Sequence, residues 1–184
     1  MSPILTGVIA SGISGHLTPP WSPEGAYDSL ATVTVPSGGL ASVVFTGIPT
    51  GYKHLQIRML TIGNGSAFNG GSMYFNGDTS ASNYYSHYII GNGSSITVGA
   101  NQDTYTPFTV GVSASPSVGI IDILDYANIN KKKVSRELNG YDANGSGRVN
   151  YNSVLWNNTS AINQIALNFS TFQQNTQFAL YGVK

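Results

Sequence analysis

The chain predicts an all-β protein: an antiparallel β-sandwich of the jelly-roll kind, preceded by an extended N-terminal arm. Three observations lead there. From residue 27 onward, apolar and polar residues alternate over short runs, the period of a half-buried strand. Clusters of Gly, Asn and Asp separate those runs. No stretch carries a convincing helical period. The best attempt, residues 160–167, has a start signal, but Ile165, Leu167 and Phe169 fit period two better. About ten short strands with turns between them make a two-layered sandwich.

Residues 1–26 stand apart. They contain Pro3, Pro19, Pro20 and Pro23, and Pro19-Pro20-Trp21-Ser22-Pro23 can form neither helix nor a full strand ladder. A solvated tail is polar and charged. This one carries Ile4, Leu5, Val8, Ile9, Ile13, Leu17 and Trp21. Two readings stand: an arm that orders against a partner or neighbouring subunit, and a segment that packs back on its own domain. Residues 27–184 form the single sandwich domain.

Along that domain, Ala31, Val33 and Val35 alternate with Thr32 and Thr34, and Ser37-Gly38-Gly39 makes a turn. Ala41, Val43 and Phe45 follow, so the pair reads as a hairpin. Leu55, Ile57 and Met59 face one side of the next strand, and His54, Gln56 and Arg58 the other. Met73 and Phe75 mark a strand before Asn76-Gly77-Asp78. Residues 84–90 are β-rich, 91–103 read as a glycine-rich loop with Ile96 and Val98 in it, and 105–112 as a strand. Residues 119–126 place Ile121 and Ile123 on one face. Val134 and Leu138 mark a strand, residues 142–147 a long turn, and Val149, Tyr151 and Leu155 its continuation toward Trp156. Ile165, Leu167 and Phe169, then Phe178, Leu180 and Tyr181, close the sheet pattern.

Composition limits function. Only 9% of the 184 residues are charged, 41% are hydrophobic, and there are 22 glycines, 11 tyrosines and no cysteine. An ordinary domain is about a quarter charged. Without cysteine there is no disulfide, thiolate metal site or Cys nucleophile. A formal net charge of zero provides no basic stripe for phosphate neutralisation. The one basic cluster, Lys131-Lys132-Lys133, reads as a solvated edge that blocks strand pairing. No secretion signal or membrane span is visible, so the expectation is a soluble protein made in the cytoplasm of its producing cell, with neither nucleic acid nor membrane as partner. Such a neutral surface of Ser, Thr, Asn, Gly and Tyr suits packing against other protein.

Candidate chemistry is thin. His16, His54 and His87 are isolated in sequence. Asp142-x-Asn144-x-Ser146-Gly147 resembles the front of a calcium loop, but position twelve is Ser153 instead of glutamate, and Asx turns produce the same letters. Asp122 and Asp125 point to opposite faces of a strand, which suits turn capping and ion pairs with Lys131 or Arg136 better than paired-carboxylate hydrolysis. No nucleophile elbow or phosphate loop is present. No cofactor is expected. Tyr84, Tyr85 and Tyr88, with Tyr74 and Tyr105 nearby, suit a protein interface or a stacking platform for sugar rings.

Several segments resemble bacteriophage virion proteins: Phe75-Asn76-Gly77-Asp78-Thr79 with Asn83-Tyr84-Tyr85-Ser86-His87; Ile121-Asp122-Ile123-Leu124-Asp125-Tyr126; Leu155-Trp156 with Thr159-Ser160-Ala161-Ile162-Asn163; and Phe178-Ala179-Leu180-Tyr181-Gly182-Val183. The resemblance covers residues 27–184. It implies a non-enzymatic structural part of the virion and brings no catalytic residues. A compact domain with an apolar arm, lacking a long shaft, fits a head decoration or cement protein whose partners are the major capsid protein or other virion proteins. A homotrimer is expected, since cyclic oligomers are the default for such parts. The alternative is a tail-fibre or receptor-binding tip that recognises host carbohydrate.

Overall fold

The computed structural model describes residues 25–65, 69–80, 82–112 and 115–184. The seven apolar arm positions named above therefore lie outside the described residues. Period two sets the rest into twelve strands: β1 (Tyr27–Thr34), β2 (Leu40–Thr46), β3 (His54–Gly63), β4 (Asn69–Phe75), β5 (Tyr84–Gly91), β6 (Ile96–Asp103), β7 (Thr106–Val112), β8 (Ser117–Leu124), β9 (Lys133–Asp142), β10 (Gly147–Trp156), β11 (Gln164–Phe172) and β12 (Gln177–Val183). The described residues contain no helix.

The strands form the two layers of a sandwich. The larger runs β1-β12-β3-β8-β9-β10-β5-β6, antiparallel throughout. The smaller runs β2-β11-β4-β7. The far end of β3 joins them, where Ile62 and Gly63 pair in parallel with Gly111 and Val112 of β7. The layers are unequal, eight strands against four, where a jelly roll has eight in all.

Between the layers lies the core. Ile57 stands opposite Ile121 on one side and Leu180 on the other, and Leu55 opposite Ile123. Facing them are Phe45, Met73, Phe75, Val110, Ile165 and Leu167, all buried. Each such side chain contributes roughly 1.5–3 kcal/mol by leaving water. Aromatic rings tie both ends. Phe172 packs edge-on to Phe178 at 5.1 Å, and Phe75 lies 5.5 Å from Trp156.

Two sequence readings change. β1 and β2 are not a hairpin: β1 pairs with β12 and β2 with β11, so residues 35–39 cross between layers. Val35 stays with the larger layer, donating its N–H to the Thr176 carbonyl (2.8 Å). The Gly39 N–H then donates to the Pro36 carbonyl with Gly38 at φ 97°, a tight reversal that only glycine adopts freely. Residues 96–103 are a strand: β6 pairs with β5 along its whole length, because Ile96 and Val98 fall opposite Gly91 and Ile89.

Candidate interaction surface

The outer face of the larger layer is where the chain leaves apolar surface unspent. Strands β8, β9 and β10 carry apolar side chains on the side away from the core: Val118 and Ile120, Leu138, and Val149 and Tyr151. The register lines them into two cross-strand rows. One runs Arg58, Ile120, Leu138, Tyr151, Ile89, Val98 from β3 to β6. The other runs Leu60, Val118, Gly140, Val149, Gly91, Ile96. Val118 is 59% exposed, Leu138 54% and Val149 59%. Five strand spacings make each row about 24 Å long, with about 7 Å between rows. Contiguous apolar patches of this kind mark contact surfaces in soluble proteins.

Glycines shape the rows into a groove. Gly140 and Gly91 place no side chain in the second row, and the 141–148 hairpin rises at one end. The result is a groove of about 1010 Å³ lined by Leu60, Val118, Ile120, Leu138 and Val149 among others. Its β12 side holds a cation–aromatic stack: the Arg58 guanidinium lies 5.0 Å from the Tyr27 ring and 4.7 Å from that of Tyr181. Arg58 Nε donates to Gln56 Oε1, and Gln56 Nε2 to Asp122 Oδ1, both at 2.8 Å. The third row, with Gln56, Asp122, Arg136 and His87, is polar and bounds the apolar patch.

Beyond the groove, β6 is the edge strand. It is exposed along nearly its whole length and on both faces, with Ile96 at 76% and Val98 at 67%. Only Asp103 in it is charged. Edge strands of soluble proteins are blunted by charge, proline or bulges, because free N–H and C=O groups template pairing with another chain. β6 has none of these before Asp103.

A second cluster is enclosed. On the inner face of β9 sits Glu137, 1% exposed. Its carboxylate accepts the Asn152 amide (2.6 Å), the Thr109 backbone N–H (3.2 Å) and the Asn139 amide. Asn150 donates to Thr109 Oγ1 at 2.5 Å, and Asn139 Oδ1 has no hydrogen-bond partner among the described residues. Burial pushes the Glu137 carboxyl up to about 7 against the pull of its three donors. The cluster binds β7 to β9 and β10 through polar contacts. It holds a proton near neutrality, but the site is closed to substrate.

The residues singled out from sequence are dispersed. Tyr84 is fully buried: its hydroxyl accepts the Phe75 N–H and donates to the Asp78 carbonyl, both at 3.1 Å, and burial raises it to about 12. Tyr85 faces the outer side, and the Tyr88 ring lies over Gly99 on the other side. The three rings thus share no platform. Beside Tyr84, Asp78 accepts the Trp156 indole N–H (2.8 Å) and the Asn83 amide (2.9 Å). Burial alone would raise its carboxyl, but these bonds and those from Ser80 hold it below the usual range. Lys133 is not a solvated edge. It is buried, and its ammonium donates to the carbonyls of Asn128 (2.5 Å), Lys131 (2.7 Å) and Thr159 (2.9 Å), tying two loops together. Asp125 pairs with Lys131 at 2.7 Å, and Asp122 stands opposite Arg136. In the 142–147 turn, Asp142 Oδ1 accepts the Asn144 N–H (2.8 Å), an Asx turn at the β9–β10 hairpin.

Sequence reasoning did not single out the outer rows. The signal was present in the segment 117–124: both alternations, Val118/Ile120 and Ile121/Ile123, are apolar, although an antiparallel strand wetted on one side needs only one apolar face. Comparison with family models, with curated proteins and with solved structures found no match.

Proposed function

We propose that the chain is a non-enzymatic structural component of a bacteriophage virion, and within that class a capsid decoration protein that binds and stabilises the head shell. The observation that carries this reading is β6: a strand at a sheet edge with no charge before Asp103, open on both faces, whose Ile96 and Val98 continue the outer apolar rows. Such a strand gains most by pairing with or packing on other protein. Its partners are the major capsid protein or other virion proteins, together with copies of itself in a trimer. The protein is made in the bacterial cytoplasm and ends in the particle. A glycan-binding tip has less to stand on, because Tyr84 is in the core and Tyr85 and Tyr88 point apart.

The test is retention on particles. Tagged chain is incubated with phage particles and pelleted, alongside Val98→Lys and Ile89→Lys. Both positions point to solvent, so thermal unfolding should stay within about 0.5 kcal/mol of the parent. Occupancy is expected to fall tenfold or more. Failure of the parent chain to bind particles, or equal occupancy of the variants, would overturn the reading.

A further inference from the structure

We infer that the outer groove is the seat of the chain's own residues 1–24. The groove is apolar, about 1010 Å³ in volume, and open in the described residues. The described chain begins at the start of β1, where Tyr27 pairs with Val183, while the groove lies further along the strands, beside Gln177, Ala179 and Tyr181 of β12. The Ala26 carbonyl accepts the Lys184 N–H at 3.1 Å, and Tyr27 packs edge-on to Tyr181 at 6.4 Å while lying beside Arg58. Tyr181 and Arg58 both line the groove. The Tyr27 ring thus ties the start of β1 to the Arg58 side of the groove.

The composition of residues 1–24 matches what the groove offers. Residues 1–24 hold a single charged side chain, Glu24, and present Ile4, Leu5, Val8, Ile9, Ile13 and Leu17. The centre of the groove, at Val118, Ile120, Leu138 and Val149, is likewise uncharged. Reach is ample: 24 extended residues span up to about 80 Å, against about 34 Å for the seven spacings from β1 to β6. The groove stops short of Ile89, Ile96 and Val98, so the seated segment leaves β6 free. One stretch of the face then serves the chain itself, and the other serves partners.

The experiment uses the full chain, which has no cysteine of its own. Ile13→Cys is labelled with benzophenone maleimide, photolysed, and its adducts mapped by mass spectrometry. Adducts within one chain at Val118, Ile120, Leu138 or Val149 are expected, and they fall at least tenfold when Leu138→Glu and Val149→Glu are added. Both glutamates stand where the side chain already points to solvent. Adducts elsewhere, adducts between two chains, or none, overturn the inference. Fluorescence gives a second readout, because the chain has two tryptophans and Trp156 is buried. Acrylamide quenching then reports Trp21. It is expected to rise severalfold in the double variant, and equal quenching in both chains counts against the seat. Loss of particle binding with the photolinks intact would remove the virion reading alone.

Discussion

Replacing Glu137 with glutamine isolates one buried carboxyl and makes a pH dependence disappear. In the unfolded chain Glu137 releases its proton near the ordinary 4.5, and in the fold burial raises that to about 7. Below 4.5 both states hold the proton and the group contributes nothing. Between 4.5 and 7 the folded chain binds more protons than the unfolded one, so stability falls as pH rises. Above 7 the carboxylate is ionised in both states and the full cost remains. At about 1.4 kcal/mol per pH unit, the gap from 4.5 to about 7 amounts to about 3 kcal/mol. Chemical denaturation at pH 5 and pH 8.5 measures it. The parent chain is expected to lose about 2.5 kcal/mol between pH 5 and pH 8.5 through this group, since part of the gap is already lost at pH 5. Glu137→Gln keeps a carbonyl to accept the Thr109 N–H and the Asn139 amide, and the Asn152 amide, which donates to the other carboxylate oxygen, turns its carbonyl to accept the new N–H. The variant should therefore be nearly flat across the window and more stable than the parent at pH 8.5. Equal slopes for parent and variant, or a variant less stable than the parent at pH 8.5, would refute the reasoning.

Two further substitutions probe the polar supports of the core. Lys133→Met leaves three carbonyls without their ammonium and should destabilise by about 3 kcal/mol or more, since bonds to a charged group are worth roughly 1.5–3 kcal/mol each; thermal or urea unfolding reads it. Tyr84→Phe keeps the ring stack with Trp156 but strands the Phe75 N–H and the Asp78 carbonyl, at a cost of about 1–3 kcal/mol in urea unfolding.

The legible parts of the fold were those where one face of a strand is apolar. In β3 and β11 the alternation Leu55/Ile57/Met59 and Ile165/Leu167 points inward as read. Three places defied that rule for a physical reason. In β9 the inward residues are Lys133, Ser135, Glu137 and Asn139, so Val134 and Leu138, which mark the strand in the sequence, face outward. A polar residue turned inward is tolerable only when partners satisfy it, and those partners come from β7, β10 and distant loops, which sequence spacing does not reveal. In β10 the same inversion places Asn150 and Asn152 inside and Val149 and Tyr151 outside. The residues 35–39 turn has hairpin letters, yet the pairing of its flanks is decided by β11 and β12, more than a hundred residues away. The contact surface stayed hidden for the same reason. An apolar alternation says that a face is buried against something, and only the assembled layers show that this face has nothing described upon it.

Hydroxyl-radical footprinting of the protein in phage particles, set against the free chain, addresses the β6 contact directly. Ile96, Val98 and Ile89 should lose most of their reactivity on assembly, while Arg58 and Asp122 change little. Labelling of Ile96 and Val98 at the same rate in particles as in the free chain would contradict the claim that this edge is the contact.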